Sequence, residues 1–292
     1  MLYLLACIAS KDNNPSPDTT STSTEEEYFA CPTGEFDQEL GIVEHQDITE
    51  TSGLAVSRYN PDQLWVHNDS GDEGRLFLLD KSGDHLGELD LNVDAIDWED
   101  IGIIQSTEDS SLLYIGDIGD NEEERENIVI HRVREPTSIT DPPEVTSFTL
   151  TYPDQPHNAE SLVVHPQTGK AYILTKDLEK TQIFVWNEEE GILQETNRFS
   201  FPALEMEGSP LLTAADISPD GRTLLIRTYT AIWAFDANIL DGSAIETICE
   251  LPSPAEQQGE AISFSQDGSH YLSISEGSAQ SIFQFSLSFS TP

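Results

Sequence analysis

The sequence predicts an all-β chain made of repeated small sheets, and three observations carry that prediction. One phrase returns five times: a polar residue, a short apolar strand, a turn and a second apolar strand. It begins at Thr51-Ser52-Gly53-Leu54, Trp98-Glu99-Asp100-Ile101, Ala159-Glu160-Ser161-Leu162, Ala215-Asp216-Ile217-Ser218 and Gly259-Glu260-Ala261-Ile262. Counted from Ser52, Glu99, Glu160, Ala215 and Glu260, the starts lie 47, 61, 55 and 45 residues apart. Turn residues recur between the paired strands: Asn60-Pro61-Asp62, Pro166-Gln167-Thr168-Gly169, Ser218-Pro219-Asp220-Gly221 and Ser265-Gln266-Asp267-Gly268. Such residues supply positive φ or bond their own backbone. No long helical pattern interrupts them. Repeats of roughly 40–50 residues made of short strands are the signature of a β-propeller.

Each element follows in chain order. Met1-Leu2-Tyr3-Leu4-Leu5-Ala6-Cys7 is similar to a bacterial lipoprotein signal, in which Cys7 would carry the lipid. It has no basic residue before Cys7 and only six residues in all, so the match is partial. The stretch from 8 to 34 is rich in Ser, Thr, Asp and Glu, cannot bury apolar surface, and reads as a disordered tether. Residues 35–292 are expected to form a single propeller domain. Repeat one supplies strands over Gly53–Ser57, Gln63–His67, Arg75–Asp80 and Leu86–Leu91. Repeat two supplies Asp100–Ile104, Leu112–Asp117, Ile128–Val133 and Val145–Tyr152. Repeat three supplies Ser161–His165, Ala171–Thr175, Gln182–Trp186 and Leu193–Phe201. Repeat four supplies Ala214–Ser218, Thr223–Thr228, Ala231–Phe235 and Ala244–Leu251. Repeat five has three strands, ending at Leu287, and lacks an outer one. The strand Glu39–His45, before repeat one, is expected to fill that place and close the ring. The count is five blades, or six if the long second repeat hides another.

Composition narrows the partners. There are 54 acidic and 13 basic side chains, a net charge of −41. A field of that sign repels nucleic acid and anionic lipid headgroups, so contact with a membrane is expected only through a lipid anchor. It attracts divalent cations, and it also serves as a solubility device. No segment is long enough to span a bilayer. The chain is expected to be an exported monomer, held at the outer membrane or cell surface. In that compartment Cys31 and Cys249 either form a disulfide or remain buried thiols.

The channel of a propeller is lined by its innermost strands. Aligning the repeats places Ser52, Glu99, Glu160, Ala215 and Glu260 in one ring, with Asp216 one step on. Aligning the second strands places Asn68, Asp117, Thr175, Thr228 and Ser275 in another. Converging carboxylates must share protons, pair with cations or bind a metal. Lys176, Arg227, Arg125, His67 and His157 are the nearby bases. The alternative is that the acids bond backbone amides between blades. The densest clusters are His67-Asn68-Asp69-Ser70-Gly71-Asp72, Asp94-Ala95-Ile96-Asp97-Trp98-Glu99-Asp100 and Gly116-Asp117-Ile118-Gly119-Asp120-Asn121. Hard oxygens at such spacing suit Ca2+ better than Zn2+, although Asp and Asn also cap tight turns. The set expected to hold the cation is Glu99, Asn68, Asp117 and Asp120. Asp69, Glu260, Asp216, Lys176 and Arg227 are expected to face a small-molecule or protein ligand.

These segments carry a family resemblance. Ser52-Gly53-Leu54-Ala55, Trp65-Val66-His67-Asn68-Asp69-Ser70-Gly71, Asp97-Trp98-Glu99-Asp100-Ile101 and Gly116-Asp117-Ile118-Gly119-Asp120-Asn121 resemble a group of exported bacterial propellers near the NHL, SMP-30-like and esterase-like phytase groups. The resemblance implies a divalent metal at the channel mouth, matched by Asn68, Asp117 and Glu99, sometimes with lactone, phosphoester or sugar chemistry. Ala215 departs from the pattern. Two functions follow. One is a binding propeller loaded with Ca2+. The other is a metal-dependent hydrolase of an ester, lactone or phosphoester, with Glu160 or His157 as base. Gly-x-Ser-x-Gly, P-loop, dinucleotide and zinc spacings are all missing from the sequence. Trp65, Trp98, Trp186 and Trp233 are expected to pack between blades rather than stack on sugar.

Overall fold

A computed structural model describes residues 29–187, 191–201, 210–256 and 258–289. These form five four-stranded antiparallel sheets. Blade one is β2 (Thr51–Val56), β3 (Gln63–Asn68), β4 (Arg75–Asp80) and β5 (His85–Asp90). Blade two is β6 (Trp98–Thr107), β7 (Ser110–Asp117), β8 (Ile128–Arg134) and β9 (Val145–Leu150). Blade three is β10 (Ala159–Val164), β11 (Ala171–Thr175), β12 (Thr181–Trp186) and β13 (Gln194–Phe199). Blade four is β14 (Leu212–Ile217), β15 (Thr223–Thr228), β16 (Ile232–Asp236) and β17 (Cys249–Leu251), with a 3-10 turn at Ala237–Asp241 before β17. Blade five is β18 (Gly259–Phe264), β19 (His270–Ser275), β20 (Gln280–Ser288) and, outermost, β1 (Thr33–Val43). The innermost strands lie side by side, β2 on β6, β6 on β10, β10 on β14, β14 on β18 and β18 on β2, so the ring is closed. The fold is a five-bladed β-propeller.

Each seam between neighbouring blades is filled by its own apolar layer, because both faces of the inner strands are covered and their residues therefore read apolar on both sides, while the outermost strands stay largely exposed. Leu54, Val66 and Phe77 meet Leu272 and Ile282 across the seam of blades one and five; Leu225 and Leu251 meet Phe264 and Phe285 across blades four and five. Trp65 and Trp98 fill the seam of blades one and two, Trp186 the next and Trp233 the one after. The tryptophans thus pack between blades. Trp65 also donates its indole N–H to the buried Glu135 at 3.0 Å.

Ring closure starts earlier than the sequence predicts. The closing strand covers Thr33–Val43 rather than Glu39–His45, and Phe29 already packs on the core of blades four and five. Cys31 is disulfide-bonded to Cys249, their Cα atoms 5.5 Å apart. The propeller therefore begins inside the segment predicted as tether. The signal at 1–7, including Cys7, and the tether up to 28 lie outside the described residues. No helix among the described residues is long and apolar enough to cross a membrane.

One irregularity repeats in every blade. The pairing of the first two strands skips one residue near its start: between Thr51 and Gly53, Trp98 and Asp100, Ala159 and Ser161, Leu212 and Ala214, and Gly259 and Ala261. The skipped residues are Ser52, Glu99, Glu160, Thr213 and Glu260. A β-bulge re-aims one side chain and bends its strand, so five bulges in one register build a ring. The ring position in blade four is Thr213, not Ala215, which sits two residues deeper. The predicted second ring holds: Asn68, Asp117, Thr175, Thr228 and Ser275 pair one place before the bulge in each blade.

Candidate functional site: the acidic mouth of the bore

The bulges deliver their side chains to one end of the central bore. Where the ring residue is a hydroxyl, it stitches adjacent blades: Ser52 donates to the carbonyl of Glu99 at 2.5 Å, and Thr213 to the carbonyl of Gly259 at 2.8 Å. Where it is a glutamate, the carboxyl is buried, with Glu99 2 %, Glu160 4 % and Glu260 5 % exposed. Glu99 faces the carboxylates of Asp69 and Asp97, and one oxygen from each of the three lies within 4.8 Å of the other two. Glu160 stands beside Glu99 and binds Lys176 Nζ at 2.9 Å. That ammonium lies 4.9 Å above the ring of Tyr229. Glu260 accepts from Gln258 at 3.2 Å through Oε1, while its buried Oε2 has no partner among the described residues.

The electrostatics follow from burial and crowding. Burial, with the negative charges of Glu160, Asp69 and Asp97, holds the Glu99 carboxyl well above the usual carboxylate range. Asp69 is pushed up to about 7 and Glu260 to about 8, in each case first by burial and then by neighbouring acids. Asp97 is raised for the same reasons. Four carboxyls at one bore end thus resist ionisation in the absence of a counter-charge.

The loops that hold this cluster use the other predicted residues. Asn68 accepts from the amides of Thr49 and Glu50 at 3.1 Å and donates to Asp72 at 2.7 Å, fixing the loop ahead of β2. Asp117 accepts from the amides of Ile96 and Asp97 at 3.1 Å and from Arg125 at 2.8 Å, fixing the loop ahead of β6. Asp120 accepts from the amides of Glu124 and Arg125, and its own amide binds Asn158, which also reaches Glu160 at 3.4 Å. Of the four residues predicted to hold a cation, Glu99 is therefore in the carboxylate cluster, and Asn68, Asp117 and Asp120 face backbone amides that shape it. Sequence spacing does not separate a ligand from a turn cap, because both need a short oxygen-bearing side chain.

Gly119 is a part the sequence did not single out. A Cβ on it would stand 2.1 Å from Glu99 Oε1 and 2.4 Å from Asp97 Oδ2. The backbone closes over the carboxylates at that point, and a Cβ there would displace Glu99 and Asp97 from their present positions.

The remaining predicted residues lie elsewhere. His157 binds Asp154 at 3.0 Å through Nε2 and packs against Tyr152 and Phe184. Arg227 is 1 % exposed and clamps blades four and five by pairing with Glu256 and Ser273. His67 is buried edge-on to Trp98 and pushed down to about 4 by that burial. Asp216 lies deeper in the bore, accepting from the amides of Phe264 at 2.7 Å and Ile217 at 2.8 Å; burial raises it to about 6. Asp100 follows Glu99 and is fully buried. It reaches across the bore to the amides of Leu162 at 3.0 Å and Ala215 at 3.4 Å. Innermost strands have one unpaired edge, and these two aspartates satisfy amides along it.

No family model matches this chain, and no curated protein matches it. Among solved structures, one titled "Structure of U3-55K" superposes with a TM-score of 0.42 at 11 % identity, over 80 % of this chain and 67 % of that one. That likeness is too distant to bear on activity.

Proposed function

We propose that this propeller is a cation-loaded binding module whose acidic mouth holds a divalent ion, Ca2+, between Asp69, Asp97 and Glu99, and presents it to a ligand. The observation that carries this reading is the convergence of those three carboxylates within 4.8 Å. Oxygens on opposite sides of a Ca2+ shell stand roughly 4.6–5.2 Å apart, so one ion can bridge them. The buried Oε2 of Glu260, without a partner among the described residues, adds an acceptor in the same ring of bulges. The resemblance to exported propellers with a metal at the channel mouth supports the same reading, and the Cys31–Cys249 bond suits an exported chain. A binding role is favoured over hydrolysis because both residues suggested as base are engaged, Glu160 by Lys176 and His157 by Asp154.

Calorimetric titration of chelator-treated protein with CaCl2 tests it. Saturable heat and a raised Tm are expected, both lost in Glu99→Gln and in Asp97→Asn. No heat and no shift in Tm in the unmodified protein would remove the cation from the proposal. Turnover of chromogenic esters, lactones or phosphoesters that is lost in Glu99→Gln would replace binding by hydrolysis.

A further inference from the structure

The opposite end of the bore carries a second, chemically different cavity. Its volume is about 180 Å³, and it is lined by Arg58, Gln105, Pro166, Pro219 and Gln266. Each comes from a different blade. Each also lies six residues beyond its blade's bulge: Ser52 to Arg58, Glu99 to Gln105, Glu160 to Pro166, Thr213 to Pro219 and Glu260 to Gln266. The cavity is therefore the lower mouth of the same bore, several residues further along the innermost strands than the amides that Asp100 and Asp216 hold.

Arg58 is the one cation in that lining. A guanidinium has five N–H donors. Among the described residues, one bond is made by this group, from Nη2 to the carbonyl of Ile103 at 3.2 Å. The neighbouring carboxamides are held by main chain: Gln105 donates to the carbonyls of Thr107 at 2.6 Å and Ser110 at 3.1 Å, and Gln266 to the carbonyl of Ser57. The two prolines give apolar walls. We propose that the lower mouth is a binding site for a small organic monocarboxylate, its carboxylate on Arg58 and its carbon chain against Pro166 and Pro219.

The chemistry restricts the ligand. Free donors of a guanidinium match the two oxygens of a carboxylate in a fork. The volume is below the roughly 300–1,000 Å³ of pockets for drug-sized ligands, so the molecule is small. Asp216 and Glu135 are the acids whose charge acts on Arg58, and the chain as a whole carries −41. Both disfavour a multiply charged anion such as phosphate and leave a monoanion as the best fit. The site is independent of the cation proposed for the other end.

Titration of the whole protein with sodium butyrate, followed by NMR shifts and calorimetry, is the test, with inorganic phosphate as the second arm. Butyrate is expected to bind with or without Ca2+, and more tightly than phosphate. Arg58→Gln should weaken it by about tenfold or more, the worth of a charge-assisted pair. Pro166→Glu leaves Arg58 in place and puts a negative charge on the rim, so it should weaken butyrate similarly while melting like the unmodified protein. Butyrate that does not bind, that binds both variants as well as the original, or that binds less tightly than phosphate would overturn the proposal.

Discussion

The two mouths of the bore are built from the same five strands, six residues apart, yet they differ in every chemical respect. The upper one gathers Asp69, Asp97, Glu99, Glu160 and Glu260, with Lys176 as counter-charge. The lower one holds a single arginine between glutamines and prolines. The difference traces to backbone. At the upper end a bulge turns one residue per strand into the bore, so identity at that position decides local charge. At the lower end Pro166, Pro219 and Gln266 sit in the tight turns after the innermost strands, where backbone conformation limits the choice of residue, while Gln105 is still within its strand. A propeller can therefore vary one end for chemistry while the other is held closer to turn requirements.

The largest effect should come from breaking the upper ring at its backbone. A Cβ at Gly259 would fall 1.4 Å from Arg227 Nη2, and that guanidinium is buried against Glu256 and Ser273 with no room to swing aside. Gly259→Ala should cost about 3 kcal/mol or more, comparable to losing one partner of a buried ion pair. Thermal melts should show Tm lower by roughly 10 °C. A variant that melts with the unmodified protein would show that the seam of blades four and five yields easily.

Next in size is the carboxylate between the mouths. Asp100→Ala leaves the amides of Leu162 and Ala215 without an acceptor and should cost about 2 kcal/mol. Asp100→Asn keeps an acceptor oxygen. Because burial already holds Asp100 well above the usual carboxylate range, losing its charge should matter little. Equal destabilisation of the two variants in urea melts would mean that charge, not the amide contacts, is what Asp100 contributes.

The smallest effect is a slope with pH that separates the two ends. Asp69 at about 7 and Glu260 at about 8 lie above the ordinary 3.9 and 4.3 of unfolded Asp and Glu. Through these two groups the folded chain binds more protons than the unfolded one between pH ~4 and ~8, which lowers stability as pH rises; buried His67, held at about 4, acts in the opposite sense below pH ~6.5, so the fall is expected from pH ~6.5 to ~8. Carboxylates with lowered values, such as Asp267 at about 2, act in the opposite sense but only below pH ~4. Without Ca2+, Tm should drop from pH ~6.5 to ~8; the Asp69→Asn/Glu260→Gln pair should flatten that drop, and saturating Ca2+ should reduce it. Asp216, at about 6 in the deeper bore, leaves a residual slope that Ca2+ does not touch. A slope unchanged by the double substitution would place the titrating groups elsewhere.

The architecture was legible because each blade repeats its apolar pairs and its turns; five sheets, the closing strand and most strand bounds follow from that repetition. Register in blade four was not, since Ala215-Asp216 imitates Ala159-Glu160 while the bulge falls on Thr213. A bulge is a backbone event, and a threonine hydroxyl serves there as well as a carboxylate. The acidic mouth was legible as a neighbourhood, but not the division of labour within it: Asp69 and Asp97 meet Glu99, whereas Asn68, Asp117 and Asp120 hold loops. The sequence marked Pro166, Pro219 and Gln266 only as turn residues, and the five residues of the lower mouth become a set only once the bulges fix the count from blade to blade.

The bond between Cys31 and Cys249 joins the lead-in of the closing strand to blade four, whereas the strand itself zips onto blade five. A pull on the chain ahead of Cys31 is thereby divided between two neighbouring blades. Peeling β1 from β20 then requires a covalent link to break first. Under reducing conditions the same tug would act on the hydrogen-bonded zipper alone. Resistance of the closing strand to a pull from its N-terminal side, as distinct from equilibrium stability, thus depends on the redox state of a single cystine.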